Sequence, residues 1–121
     1  MAEGTAPQGL VILFDDEREF VPGFRDDAVI VRTAEDAREL FDELKANPQP
    51  VAELWLDYVL RRGSTDEALS DLPGYLVERV IYCSSSSSAF GLLAHILKED
   101  TGFQGEMEHS WTAFPRAFKK L

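Results

Sequence analysis

Three strand-like runs in this chain end on side chains that could do chemistry. Leu10-Val11-Ile12-Leu13-Phe14 is apolar at every position and stops at Asp15-Asp16-Glu17. Val51 to Leu56 stops at Asp57, and Arg79-Val80-Ile81-Tyr82-Cys83 runs into five serines, Ser84 to Ser88. An unbroken apolar run signals a strand buried on both faces, as in a parallel sheet. Open parallel sheets bind ligands beyond the carboxyl ends of their strands, beside the point where the strand order reverses. In the order 2-1-3-4-5, Asp15, Asp16 and Asp57 converge there, with Ser84 alongside. Crowded carboxylates repel one another, so the site calls for protonation or for a cation. Mg²⁺ suits it, because it takes hard oxygen ligands, keeps several waters and needs only one or two carboxylates besides a phosphate oxygen. The sequence therefore predicts weak Mg²⁺ binding by Asp15, Asp16 and Asp57. Beside that cation Asp57 is a candidate phosphoacceptor, with Ser84 as a second candidate catalytic residue.

The same residues have a plainer use. Acids that follow parallel strands often cap helices, stabilised by the helix dipole. For Asp15 taken alone a cap is the better account. Two strands ending in acid and a third in hydroxyls make the site an equally good one. The serines could equally cap a helix from Ala89, where backbone N–H groups would also suit an anion.

The elements that must position these residues alternate along the chain. Residues 1–8 read as a loose leader, and residues 9–121 as one domain. After the first strand, Pro22-Gly23 marks a turn and Ala28-Val29-Ile30-Val31 a second strand. Thr33 caps a helix, Asp36 three residues on makes a variant capping box, and Ala34, Ala37, Leu40, Phe41 and Leu44 share its apolar face. That helix ends near Asn47-Pro48. Ser64 with Glu67 could open a short helix that Pro73-Gly74 closes. Phe90, Leu93 and Leu97 line another, with Leu92 and Ile96 beside them. Residues 105–110 suggest a weak fifth strand, and Trp111, Phe114, Phe118 and Leu121 are spaced for a last helix. The order predicts an α/β fold with a five-stranded parallel sheet, flavodoxin-like, with helices on both faces. Only about a dozen residues separate the first two strands, near the minimum for a crossover, so the first helix must be very short or missing.

Bulk composition narrows the function classes. The chain has 121 residues, 45% hydrophobic and 28% charged, which suits one soluble domain with a proper core. With 12 basic and 22 acidic residues its formal charge is −10, a field that argues against general nucleic-acid or membrane binding. The single cysteine, Cys83, allows no intrachain disulfide, and no apolar run approaches a membrane span. A cytoplasmic location is expected. Cys83 reads as a small buried hydrophobe, and Trp55 as a core residue. His95 is expected in solvent and His109 near the carboxyl edge of the sheet. Arg61 and Arg62 read as solvated loop charges or, less well, as phosphate contacts.

Asp15-Asp16-Glu17-Arg18 and Leu54-Trp55-Leu56-Asp57 resemble motifs of the response-regulator receiver superfamily. More closely, the chain resembles the receiver-like family of cyclic-phosphate-processing domains. Val31-Arg32-Thr33-Ala34-Glu35-Asp36-Ala37 matches that family's helix start, and Tyr82-Cys83-Ser84 falls where its later serine is expected. The match spans roughly residues 10–97 and includes the short first loop. The departures fall at the site itself. Tyr58 and Val59 replace the family's His and Asp, Ser86 stands at its Asn, and Met-Glu-His-Ser at 107–110 lacks the lysine that ends strand 5 of a phosphorylatable receiver. The resemblance thus implies a partly degraded pseudo-receiver, a regulatory module acting through a protein partner or as a homodimer. Two alternatives stay open: an enzyme acting on cyclic phosphates, and an acidic inhibitory protein.

Overall fold

The computed structural model describes residues 9–57, 59–60, 63–83, 87–109 and 118–120. Its elements in chain order begin with β1 (Leu10–Phe14), β2 (Arg18–Phe20), β3 (Val29–Val31), α1 (Ala34–Ala46) and β4 (Val51–Leu56). A small hairpin follows, of β5 (Val59–Leu60) and β6 (Gly63–Ser64), then α2 (Thr65–Leu69) and a 3₁₀ turn at Gly74–Leu76. The rest comprises β7 (Arg79–Tyr82), α3 (Ser87–Asp100), β8 (Glu106–His109) and β9 (Phe118–Lys120).

Five of these strands form the main sheet in the order β3-β1-β4-β7-β8, and every neighbouring pair is parallel. Numbered within the sheet, that is the expected 2-1-3-4-5. Apart from Glu53 in β4 and Arg79 at the start of β7, the central strands are apolar because both faces are covered. Ile12, Phe14, Leu54, Leu56, Val80 and Tyr82 pack on the helices, while Val11, Leu13, Trp55, Ile81 and Cys83 pack on the opposite side. Each large side chain so buried contributes roughly 1.5–3 kcal/mol, which makes the centre of the sheet the anchor of the fold.

Helix α1 forms where expected. The Thr33 hydroxyl accepts from the Asp36 N–H at 3.0 Å while Thr33 itself stays extended. Ala34, Ala37, Phe41 and Leu44 are buried on one face, with Leu40 packed at its margin. Helix α3 begins at Ser87 rather than Ala89 and buries Ala89, Leu93 and Leu97, leaving Leu92 exposed. His95 is exposed, as expected.

The first helix, expected to be very short or missing, is missing: no helix lies between β1 and β3. Arg18–Phe20 is a strand there, with Arg18 and Phe20 buried and Glu19 half-exposed, the period of two that a half-covered ribbon requires. Two expectations need correction. The expected last helix is not helical at its end, since Phe118–Lys120 is β9, paired antiparallel with β2. Trp111, Phe114 and Leu121 lie outside the described residues. Second, the described helices do not cover both faces. The apolar faces of α1, α2 and α3 all join one core, and the β2–β9 ribbon with Phe24 closes the other side. Phe20, Phe24, Trp55 and Phe118 form that second core, with ring centroids 5.2 to 5.9 Å apart. A ribbon suffices because four aromatic rings supply the area that a helix would otherwise bring.

Candidate functional site: an acidic cluster closed by an arginine

The sheet ladder continues past the strand ends and fixes the backbone of the site. Asp15 N–H donates to Val31 O at 3.0 Å, Asp57 N–H to Phe14 O at 3.0 Å, and Cys83 N–H to Leu56 O at 2.9 Å. These bonds hold Asp15 and Asp57 side by side on the central strands. The Thr65 hydroxyl, fully buried, donates to Asp57 O and ties α2 to the same point. Arg32 pins the turn after β1, its Nη1 donating to Asp15 O at 3.0 Å and to Arg18 O at 2.9 Å.

Asp15, Asp16 and Asp57 come together as the sequence predicts, each offering an oxygen within 4.8 Å of the others. Asp15 is fully buried, whereas Asp16 and Asp57 reach solvent. Asp15 also fills the capping role that its position suggests, though for a turn and not for a helix. Its Oδ1 accepts the N–H groups of Glu17 and Arg18, each at 2.9 Å.

The residue not anticipated is Arg18. Its Nε lies 2.6 Å from Asp15 Oδ2 and its Nη2 3.4 Å from Asp57 Oδ2, with the Cys83 carbonyl 3.5 Å away. The guanidinium sits over the Phe118 ring, 4.7 Å from its centroid, and the residue is only 5% exposed. The acidic cluster therefore carries its own cation. This guanidinium is already engaged by Asp15. The signal was present in the sequence, as an arginine three residues after an acid in a turn. Its inward direction depends on the pairing of Arg18–Phe20 with Phe118–Lys120, which no local signal announces.

The cluster still fits a divalent ion. The three donors are hard carboxylate oxygens. An octahedral Mg²⁺ with bonds of about 2.1 Å sets adjacent ligands about 3.0 Å apart and opposite ones about 4.2 Å, so the three oxygens, now within 4.8 Å of one another, would have to draw in around it. Asp15, Asp16 and Asp57 would hold it, against the repulsion of Arg18.

Cys83 is buried and its thiol donates to Leu56 O at 3.1 Å. Burial, only partly offset by Arg18, pushes the thiol up to about 12, so it is a packing residue and not a nucleophile. His109 stands at the carboxyl end of β8, where its ring stacks on Phe90 at 5.2 Å and tilts against Tyr82 at 5.0 Å. Ser84, Ser86, Tyr58, Arg61 and Arg62 lie outside the described residues.

A second buried carboxylate sits on the ribbon side. Glu53 takes a two-pronged contact from Arg25 at 2.8 and 3.1 Å and a hydrogen bond from Trp55 Nε1 at 3.0 Å, with Arg79 at 3.7 Å. Burial pushes this carboxyl up, but the bonds from Arg25 and Trp55 and the charges of Arg25 and Arg79 outweigh it and hold the group below its ordinary value. Arg25 reaches it from a left-handed backbone, at φ +54°.

No family model matches the chain, and no curated protein matches it. Among the described residues no helix is long and apolar enough to cross a membrane.

Proposed function

We propose that the chain is a receiver-like regulatory module of the cytoplasm that has lost phosphorylation switching and acts through protein–protein contact, with a weak Mg²⁺ site at Asp15, Asp16 and Asp57. The observation that supports this reading is the Arg18 guanidinium lodged between Asp15 and Asp57. A phosphoryl group on Asp57 would need a cation able to turn towards it. Arg18 is bound by Asp15 Oδ2 and covered by Phe118, so answering a phosphoryl group means breaking a buried ion pair. The same lodged cation weakens Mg²⁺ without excluding it. The net charge of −10 favours a basic partner, whose association would be fast and salt-sensitive.

Three experiments test this. Acetyl phosphate with Mg²⁺ should leave Asp57 largely unlabelled, and stable stoichiometric labelling would restore a signalling receiver. Mg²⁺ titration by NMR should shift the Asp15, Asp16 and Asp57 amides in the wild type and much less in Asp57→Asn. Equal shifts in both proteins, or none in either, would remove the cation site. Turnover of a cyclic phosphate that Asp57→Ala abolishes would instead make the protein an enzyme.

A further inference from the structure

Strand β8 lies at one edge of the main sheet and, among the described residues, pairs with β7 alone. Its register runs unbroken from Arg79↔Glu106 to Tyr82↔His109, with no bulge to turn the edge away. Glu106 N–H donates to Glu78 O at 3.2 Å, so Glu106, and Glu108 two residues on, direct their backbone groups at β7. Met107 between them therefore presents its N–H and C=O outward, where no described residue pairs with them. The side chains alternate as well. Glu108 reaches Arg79 on the ribbon side, while Glu106 is exposed and makes no ion pair among the described residues. On the helix side Met107 packs at the margin of the core, and the His109 ring stacks on Phe90 at 5.2 Å.

We propose that this edge takes up an extended, basic segment of a partner protein as a further strand of the sheet. This assigns a surface to the protein–protein contact proposed above and rests on that reading. Main-chain hydrogen bonds to Met107 supply affinity in such a complex, and the alternate side chains supply selectivity. Charge selects the occupant. Side chains facing one another across adjacent strands share a face, so every second residue of the incoming strand lies beside Glu106 or Glu108, where lysine or arginine is favoured. The intervening residues lie beside Met107 and His109, where apolar ones fit. A second copy of this chain is a poor occupant. A two-fold that continues the sheet through β8 sets Glu106 and Glu108 of one copy against the same residues of the other, and like charges directly opposite are destabilising. The acids guard the edge against self-pairing and leave it open to a basic strand.

The test uses the full chain and a short capped peptide alternating lysine and valine, with the β8 amides followed by NMR titration. Three further probes separate the causes. The same peptide N-methylated throughout keeps its charges but donates no backbone hydrogen bond; a glutamate–valine counterpart reverses the charge; a helical lysine–alanine peptide offers charge without a strand. The lysine–valine peptide should shift Met107 and His109 most, and the methylated and acidic forms should leave them in place. Glu106→Gln should weaken binding about threefold, the size of one charge pair facing across strands, and Glu106→Lys should weaken it further. Shifts that map away from β8, undiminished binding of the methylated peptide, or unchanged affinity in Glu106→Lys overturns the edge. Binding of the helical peptide alone also overturns it, and leaves a basic partner docking elsewhere. Binding of neither basic peptide overturns the edge and the basic-partner reading together.

Discussion

Replacing Arg18 by Met keeps most of the side-chain length and removes the charge. Asp15 then remains fully buried with its Oδ2 stripped of the 2.6 Å contact, while Oδ1 keeps the N–H groups of Glu17 and Arg18. Removing one member of a buried pair costs about 3–5 kcal/mol, mostly because the other charge is left uncompensated. The surviving N–H contacts reduce this, and loss of the cation–π contact with Phe118 adds about 1 kcal/mol. A loss of about 3 kcal/mol is expected. For a domain of this size that lowers Tm by about 12 °C. The assay is urea unfolding of a double-mutant cycle with Arg18→Met, Asp15→Asn and both together. The double variant should recover much of the loss, because no buried charge is then stranded. An Arg18→Met loss below about 1 kcal/mol, or additive effects across the cycle, would refute the reasoning.

Glu53 should make the protein acid-sensitive. Its folded carboxyl is held below the ordinary 4.5, so its contribution is complete above that value and fades as the pH falls through the lower, folded one. Glu53→Gln should lower Tm at pH 7, by a loss of about 3 kcal/mol, and flatten the decline of Tm below pH 4.5; parallel wild-type and variant curves would contradict this. With its thiol near 12, Cys83 should be about one part in ten thousand ionised at pH 8 and react with a disulfide reagent only at the rate of unfolding. Rapid labelling of the folded protein would show that the thiol is accessible. Gly74 has no room for a methyl group, since a Cβ would press on the Thr101 hydroxyl and come within 2.9 Å of Phe103 N. Gly74→Ala should therefore cost about 2 kcal/mol or more in urea unfolding, and a neutral result would mean that the loop after α3 yields freely.

The sheet was legible because its signal is local. Ile12 to Phe14 and Leu54 to Leu56 are apolar at consecutive positions, which only two-sided burial explains. The meeting of Asp15 and Asp57 followed from topology alone. Helix α1 carried its cap and its face in sequence. What escaped depends on distant partners. Arg18–Phe20 is too short to announce a strand, and Phe118–Lys120 has helix-compatible spacing; each becomes a strand because it pairs with the other. Missing that pairing also hid Arg18, since only an extended β2 turns its side chain under Phe118 and onto Asp15.

The ribbon also sets the sequence in which the molecule can assemble. The helix side is built from neighbours in the chain, α1 following β3 and preceding β4, so its contacts can form early and locally. The ribbon joins residues about a hundred positions apart, Arg18 with Lys120, and closing so long a loop exacts an entropy that three residue pairs scarcely repay by themselves. Val11, Leu13, Trp55 and Ile81 must therefore wait, uncovered, on a sheet already formed. During that interval the nascent molecule resembles an open book with one greasy page, the form in which chaperones or a like chain would meet it.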